Sequence, residues 1–530
     1  MRTLTGTRPL LRASLRHDGR LLALWVVILS LLGASIPLVY PHVFPTMADR
    51  EGPAAALSSN PAIGLVFGPA EVLTTVDGFN VWRTLCLGGL LAGIGMALAV
   101  VRATRAQEDS GQAELLASGV MGRGARLAAG VIMGTIGSLL CGVVPALATV
   151  LSGGGATASW LMCATWTVTG LMVTGLAAVA GELASDRRTA STITIGTLGA
   201  LYALRGISYS LTLPDWTVWA NPLGWMTEAR AASDARWWPL LLGVVLWAVL
   251  VPLAFVLLGR RDFGQGVIVP GPGPAVGRVR SALALVTRLN RAPAITWTLV
   301  AVLLGSVFGY MTASVADILS GNEAVQKVLA SGATSQDQLT TAFLVTILSL
   351  LGIILSVPGV QIMLRVRSEE MEDRLEPLLA TGLSRRRYYA VQALVALGLA
   401  ATLQVLAGVV LGIVAHAAGS TVTVGDATVQ ALATVPATLA VVAVSVMVIG
   451  ARPKVSVASW AGVLLSFGLT LLGPSFKLPG WALGISPYHH VPNTSLDDAT
   501  WTGLAVVGCV SLALSLVGWA AFQRRDLARS

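Results

Sequence analysis

Charged residues are scarce in this chain of 530 residues. Asp, Glu, Lys and Arg make up 12% of the sequence, whereas hydrophobic residues make up 55%. A soluble globular domain carries about 25% charged residues, so the chain lacks about half of the polar surface that water requires. This shortage excludes a soluble enzyme, a disordered chain and a fibrous chain, and it predicts a protein whose solvent is the lipid bilayer.

Cysteine is also rare. The four cysteines fall in apolar segments, without a Cys-x-x-Cys pair or a neighbouring set of histidines; they are Cys86, Cys141, Cys163 and Cys509. Because disulfide frameworks and zinc sites need paired or clustered ligands, the pattern argues against both. We expect no metal-binding residue in this chain.

Only three lysines occur, at Lys327, Lys454 and Lys477. None of them follows a glycine-rich phosphate loop, and the pattern Gly-x-x-x-x-Gly-Lys-Ser/Thr is absent from the sequence. No nucleophile-base pair and no pair of catalytic carboxylates can be assembled either. The sequence therefore predicts no catalytic or cofactor-binding residue, and no ATP hydrolysis of the P-loop kind by this chain.

Long apolar runs are abundant. A window of about 19 residues finds twelve candidate spans, and the resulting fold class is an all-α polytopic membrane protein with two homologous six-helix halves. The predicted spans lie near 21–40, 82–101, 126–151, 158–180, 190–211, 238–258, 296–314, 341–364, 389–415, 430–449, 455–474 and 501–522. A segment rich in Pro, Gly and Arg interrupts the pattern, so we divide the chain into a first half (1–258), a cytoplasmic linker (259–292) and a second half (293–530).

The arginines give the orientation. If the N-terminus is cytoplasmic, alternate connections hold 28 of the 35 Lys and Arg residues, as the positive-inside rule requires. Both termini are therefore predicted in the cytoplasm. The same placement accounts for the net charge of +9 through contact with anionic lipid headgroups, so the chain needs no nucleic-acid partner.

Arg205 is an exception because it falls inside the predicted span 190–211. An arginine in a span either extends its guanidinium to the headgroups or serves a functional contact. Its position near the outer end favours extension to the outer headgroups over contact with a substrate.

The two halves repeat each other at matched places, which indicates a duplicated bundle. Arg16 and Trp25 match Arg288 and Trp297. After the fifth span of each half, a Pro-x-Trp and a later Pro recur at an offset of 265 residues; the matched positions are Pro214, Trp216, Pro222 and Pro479, Trp481, Pro487. Aromatic belts explain such tryptophans, and short re-entrant or interfacial helices that form an outer gate are the alternative.

The connection after the second span carries the most informative repeat. The first copy contains Arg105, Glu108, Gly111, Glu114, Leu115 and Leu116, and the second contains Arg367, Glu370, Asp373, Arg374, Glu376, Leu378 and Leu379. Each copy ends in Leu-Leu-Ala-Ser/Thr-Gly and is predicted to form a short amphipathic cytoplasmic helix. The charges alone fit a solvated face, whereas the repeated leucine pair indicates docking into a groove of a partner protein.

This arrangement resembles an ABC-2-type transporter permease, and the fused twelve-span form is similar to actinobacterial exporters of the polyketide-antibiotic, tetronasin-type group. The resemblance implies that the repeated connections are coupling helices, which contact a dimer of separate ATPase subunits that bind ATP and Mg²⁺. The implied contacts are Arg105, Glu108, Gly111, Glu114, Leu115 and Leu116 in one helix, and Arg367, Glu370, Arg374, Glu376, Leu378 and Leu379 in the other. It also implies a bacterial plasma membrane and export of a hydrophobic or amphiphilic compound.

Two other classes remain open at this point. A secondary transporter of the major facilitator type also has twelve spans, but it usually carries a Gly-x-x-x-Asp-x-x-Gly-Arg-Arg-like loop that residues 102–119 do not contain. A membrane subunit that senses a drug or anchors an assembly, without transport, would share the same spans and coupling helices.

Overall fold

The computed structural model describes residues 4–58, 67–109, 121–210, 214–262, 264–268, 281–320, 336–472, 479–496 and 499–526. Every regular element within these ranges is a helix. The chain divides into two compact units, Met1–Gly273 and Pro274–Ser530.

The first unit contains ten helices within its described residues. They are α1 (Thr7–Val43), α2 (Met47–Ser58), α3 (Val76–Ala103), α4 (Arg105–Asp109), α5 (Ala125–Leu151), α6 (Ala156–Leu183), α7 (Arg187–Ser210), α8 (Trp216–Trp219), α9 (Pro222–Thr227) and α10 (Pro239–Arg260). Helix α6 packs against α3, α5 and α10, and α1 packs against α3 and α5.

The core of the first unit surrounds Trp166 of α6, which is fully buried. Its indole nitrogen donates a hydrogen bond to the carbonyl of Leu85, 3.0 Å away. Gly88 lies directly against the ring, since a Cβ atom there would fall 2.2 Å from it. Small residues allow membrane helices to approach closely, so this glycine fixes α3 against α6.

The second unit contains nine α-helices within its described residues. They are α11 (Ala282–Leu289), α12 (Arg291–Ser320), α13 (Gln336–Met371), α14 (Leu375–Ala380), α15 (Arg385–Ala417), α16 (Val424–Ala451), α17 (Ala461–Phe467), α18 (Gly480–Leu483) and α19 (Thr502–Arg524). Two 3₁₀ segments, Pro453–Trp460 and Pro487–His490, and a π-helical turn, Gly468–Leu472, complete it.

Helices α16 and α19 cross at two glycines. A Cβ atom on Gly518 would lie 2.4 Å from the carbonyl oxygen of Val446, and one on Gly450 would lie 2.1 Å from the carbonyl oxygen of Gly518. The two backbones therefore touch at this crossing, close to the ends of both helices.

Gly518→Leu is expected to destabilise the second unit by about 1–3 kcal/mol, because the new side chain meets backbone that cannot move aside. Thermal unfolding of the purified protein in detergent measures the effect. Gly508→Leu on the same helix is the matched control, since nothing lies within 4 Å of a Cβ atom there. Equal unfolding midpoints for the two variants would contradict the close crossing.

Ten helices within the described residues are long and apolar enough to cross a membrane. They comprise α1, α3 extended to Asp109, α5, α6 and α10 of the first unit, and α12, α13, α15, α16 and α19 of the second. The chain is thus an all-helical, multi-pass membrane protein, as predicted at this coarser level.

Two of the twelve predicted spans are not among these ten helices. The span predicted near 190–211 is the continuous helix α7, whose hydroxyl residues and Arg205 lower its apolar character. The one predicted near 455–474 is divided into a 3₁₀ segment, α17 and a π-helical turn, with non-helical backbone at Val455. The non-helical backbone at Val455 and the changes of helix type along the segment interrupt a continuous α-helix there.

Candidate functional site

Five charged side chains meet in the first unit, where α3, α5, α6 and α10 begin or end. Glu108 is at their centre, with its side chain only 2% exposed, and its carboxylate accepts hydrogen bonds from Arg105 and Arg126. Arg261 follows α10 and approaches the same carboxylate with both terminal nitrogens, at 2.6 and 3.1 Å. Its Nε donates to Glu182 at the end of α6.

This first cluster contains three arginines and two glutamates. Burial of Arg261 opposes its positive charge, but hydrogen bonds to Glu108 and Glu182 outweigh that effect and raise its pKa above the ordinary value. Buried charges are tolerated only when they are paired and hydrogen-bonded. Removing either glutamate would therefore leave buried positive charge without compensation.

The second unit contains a similar pair, formed by a residue in the last turn of α13 and the residue that follows α19. The Nη2 atom of Arg525 lies 2.6 Å from Oε1 of Glu370, whose side chain is fully buried. The Arg525 guanidinium also stacks over the ring of Phe522, 4.7 Å from its centroid. Glu369, the residue before Glu370, accepts a hydrogen bond of 2.5 Å from Tyr388 and pairs with Arg365 at 3.3 Å.

One further arginine in each unit completes the same geometry. Arg123, just before α5, donates to the backbone carbonyl of Arg261, and Arg385, at the start of α15, donates to that of Arg525 at 3.2 Å. We call each set of three side chains a Glu–Arg clasp: Glu108, Arg261 and Arg123 in the first unit, and Glu370, Arg525 and Arg385 in the second. The members correspond at offsets of 262, 264 and 262 residues.

The two clasps differ in how the Nε atom of the central arginine is satisfied. Helices α6 and α16 both have 28 residues, so Glu182 and Gly450 occupy equivalent positions. In the first unit Nε of Arg261 donates to the Glu182 side chain. In the second, Nε of Arg525 donates to the Gly450 carbonyl, 2.9 Å away. The equivalent residues Glu182 and Gly450 therefore both accept a hydrogen bond from Nε of the arginine, the first through its side-chain carboxylate and the second through its backbone carbonyl.

Several residues that the sequence placed at a partner's surface are instead in contact with this chain. Arg105, Glu108 and Glu370 are buried within the clusters, so they do not present their charges to a partner in this structure. Arg367 is half-buried and donates to Ser456. The remaining first-unit positions, Gly111, Glu114, Leu115 and Leu116, lie outside the described residues.

The second predicted coupling segment contains the short helix α14, and the charged residues there face outward. A left-handed backbone at Asp373, with φ of 54°, turns the chain into this short helix. Leu375 is buried and Leu378 and Leu379 are half-buried against the core of their own unit. Arg374 and Glu376 are exposed. The leucine pair thus holds α14 against the chain itself, and the polar face remains available.

Short helices form in both Pro/Trp-containing segments that the sequence places on the outer side, at 216–219 and 222–227 and at 480–483 and 487–490. Asn221 precedes Pro222 and donates to the carbonyl of Leu201 in α7 at 2.7 Å. Ser486 precedes Pro487 and shares a hydrogen bond of 2.9 Å with Thr470. Trp216 and Trp481 are 68% and 76% exposed, next to Pro214 and Pro479. A gating role for these segments stays a prediction.

Arg205 is buried within the first unit and is only 1% exposed. Its guanidinium contacts the sulfur of Cys86 and stacks over the ring of Tyr202, 4.9 Å from the centroid. The expectation that it extends to the outer headgroups is therefore wrong. Arg205 lies on the face of α7 that packs against α3, so its side chain meets Cys86 of α3 before it can reach the surface.

Two of the clasp's determinants escaped the sequence argument. The tripeptide Arg-Arg-Asp follows the last predicted span of each half, at 260–262 and 524–526, but the sequence argument did not link it to Glu108 and Glu370, although both lie on the same predicted side. Arg123 and Arg385 also correspond at a constant offset, and this regularity could have identified them. In the described part of the chain, no group of three or more His, Cys, Asp or Glu is arranged to hold a metal ion.

Ten apolar helices in the described part of the chain, with a buried charge cluster at helix ends in each unit, define the class as a multi-pass membrane protein. Residues 55–233 match the family described as ABC-2 type transporter, and residues 279–523 match multidrug efflux system permease Rv1217c, C-terminal domain. The chain is 34% identical over 539 residues to the multidrug efflux system permease protein Rv1217c of Mycobacterium tuberculosis. This match covers 99% of this chain and 95% of the mycobacterial protein. The chain therefore belongs to the ABC-2-type permease family that contains this mycobacterial protein.

The family decides between the classes that the sequence left open. An ABC-2 permease is a transport subunit of a bacterial plasma membrane, so the major facilitator interpretation is excluded and the ABC-2 prediction is confirmed. The finer resemblance to tetronasin-type exporters stays a prediction.

Proposed function

We propose that this chain is the membrane permease of an ATP-driven multidrug exporter that works with a separate ATPase dimer. The name of its mycobacterial relative supports efflux of several drugs, and the apolar character of the spans favours hydrophobic or amphiphilic compounds. ATP and Mg²⁺ would bind to the partner, because this sequence contains no phosphate-binding loop.

The proposal includes twelve spans in two homologous halves with cytoplasmic termini. Helix α7 and the interrupted segment 453–472 would be the fifth span of each half, added to the ten apolar helices. The equal lengths of α6 and α16 and the repeated clasps support the duplication. The excess of arginine in alternate connections supports the orientation.

The ATPase would contact α14 through Arg374 and Glu376, the exposed charges of that helix. The corresponding contact in the first half would involve residues 111–116. Arg105, Glu108, Arg367 and Glu370 would act differently, by holding these connections to the ends of neighbouring spans.

The repeated clasp is the observation that carries the proposal. In each unit the glutamate at the predicted coupling connection pairs with the arginine that follows the last long helix, α10 or α19. A second arginine, Arg123 or Arg385, joins that helix end to the start of the helix after the connection. Paired buried charges resist separation because each would lose its partner in a water-poor environment. Movement of a coupling connection by ATPase closure would thus move these helix ends with it, and the differential affinity of ATP for the closed dimer would shift the permease between two states.

Glu376→Lys is expected to weaken substrate-stimulated ATP hydrolysis by the reconstituted permease-ATPase pair roughly tenfold, because a reversed charge at an interface costs on the order of 1.4 kcal/mol. Glu376→Lys tests the contact more specifically than a substitution of Leu378 or Leu379, because those leucines pack against the core and their loss would also affect folding. Hydrolysis and drug uptake into inverted vesicles are measured on the same preparation.

Asp215→Lys is the matched control, with the same change of charge on an exposed residue of the predicted outer side. It should leave hydrolysis and transport unchanged. Full stimulation in Glu376→Lys would overturn the contact through α14. Hydrolysis without any drug uptake by the unmodified pair would instead favour the sensor or anchor alternative.

A further inference from the structure

The cytoplasmic end of α1 carries an arginine ladder, formed by Arg8, Arg12, Arg16 and Arg20. These residues are four positions apart and all are exposed, since that spacing places side chains on one face of a helix. The opposite face, with Leu10, Ser14, Asp18 and Leu22, is buried. Packing of α1 therefore fixes the ladder on the outside of the unit.

Like charges four residues apart destabilise a helix, so negative charge near the ladder would stabilise this end of α1. The only carboxylate on this stretch of α1, Asp18, faces the other way and pairs with Arg102 at 3.6 Å. Within the described ranges, no ion pair of the chain involves any of the four ladder arginines. Their counter-charge must come from outside the part of the chain that the structure describes.

Leucines lie between the arginines of the ladder. A groove of about 350 Å³ is lined by Arg8, Leu11, Arg12, Leu15 and Arg16. Leu11 and Leu15 are half-buried against the core of the unit. The groove thus offers guanidinium groups, which suit a phosphate, next to apolar surface, which suits a hydrocarbon chain. An anionic amphiphile combines both parts.

The ladder also lies at the depth where lipid headgroups are expected. Helix α1 has 37 residues and is therefore about 55 Å long, whereas the hydrocarbon core is about 30 Å thick. The apolar run 21–40 occupies the core, so Arg20 is at its edge and Arg16, Arg12 and Arg8 follow at steps of about 6 Å. The predicted orientation puts this edge on the cytoplasmic side, where the leaflet carries anionic lipid.

The second unit does not repeat the ladder. Arg16 corresponds to Arg288 at an offset of 272 residues, but Ala284 and Ala292 stand where Arg12 and Arg20 stand in the first unit. Two arginines of this face therefore recur in both halves, Arg8 with Arg280 and Arg16 with Arg288, and only the first half adds Arg12 and Arg20 to complete the ladder.

We propose that the arginine ladder is a binding site for an anionic phospholipid of the cytoplasmic leaflet, whose phosphate is held by Arg8, Arg12 and Arg16 and whose acyl chains lie along Leu11 and Leu15. The lipid supplies the counter-charge that the helix lacks. The site belongs to the first half of the permease, and it does not depend on which compound is exported.

The test is native mass spectrometry of the purified full chain, incubated with phosphatidylglycerol or with phosphatidylcholine. The unmodified protein is expected to retain phosphatidylglycerol in preference to phosphatidylcholine by roughly tenfold or more, given the attraction of several arginines for an anionic headgroup. The variant R8Q/R12Q/R16Q should lose this preference. R8K/R12K/R16K, which keeps the charge, should retain most of it.

The control variant R386Q/R387Q/R524Q removes the same charge from three exposed arginines of the second unit, and it should keep the preference. An equal loss of the preference for phosphatidylglycerol in both glutamine variants would show that the effect depends on total charge, and it would overturn the proposed lipid site. An unchanged preference in R8Q/R12Q/R16Q would also overturn it, and loss of ATPase co-purification in that variant would then assign the ladder to an acidic protein surface. If R8Q/R12Q/R16Q is not monodisperse, the single variant R12Q replaces it in the same comparison of phosphatidylglycerol with phosphatidylcholine.

Discussion

Glu108→Ala is expected to destabilise the first unit by about 3–5 kcal/mol, the cost of removing one partner from a buried ionic group. Arg105, Arg126 and Arg261 all donate to this carboxylate, and Glu182 alone would remain to balance them. The midpoint of thermal unfolding in detergent should fall by roughly 6 °C or more.

Glu372→Ala provides the comparison for this prediction. Glu372 also pairs with an arginine in a predicted cytoplasmic connection, Arg374 at 2.8 Å, but both side chains are more than half exposed. Exposed pairs contribute about 0–1 kcal/mol, so this variant should unfold close to the unmodified protein. Similar midpoints for Glu108→Ala and Glu372→Ala would mean that the first clasp is not buried as the structure has it.

The second prediction separates stability from transport in the other clasp. Arg525→Met alone leaves the Glu370 carboxylate buried without its arginine, and we expect a loss of about 3–5 kcal/mol in stability. Glu370→Leu together with Arg525→Met replaces both charges by apolar groups, which is often neutral or stabilising. The double variant should therefore unfold near the unmodified protein.

Drug uptake by that folded double variant should nevertheless fall by about tenfold or more, because α13 and α19 would no longer be joined at their ends by charge. Arg385 would keep its hydrogen bond to the backbone carbonyl at position 525, so the connection would be weakened rather than abolished. Full uptake in a stable double variant would limit the clasp to a structural role. A double variant as unstable as Arg525→Met would show that the side chains cannot be replaced by apolar packing.

The sequence predicted the helical spans well because apolar length is a property of local composition. Ten of the predicted spans appear as helices long and apolar enough to cross a membrane. It was less successful for 455–474, since the interruption at Pro453 and Val455 depends on backbone geometry that an average over 19 residues does not detect.

The charged connections were harder to interpret from the sequence. Exposed and buried glutamates look the same in a pattern, so Glu108 and Glu370 were expected at a partner's surface together with Glu376. Only Glu376 is exposed. Each of the other two glutamates also pairs with an arginine more than 150 residues away in the chain, Arg261 or Arg525, and such distant pairs are decided by packing.

By itself, the sequence determined that this is a membrane protein, and it predicts which side of the membrane the arginines face and where two halves of the chain repeat each other. These follow from transfer of apolar groups into lipid and from the distribution of arginine, which need no knowledge of contacts. Only the tertiary structure decided which charges are buried against each other, because a charge enters the interior only where folding brings an opposite charge within hydrogen-bonding distance. It also showed that Arg205 lies inside the first unit, while the arginine ladder of α1 faces outward.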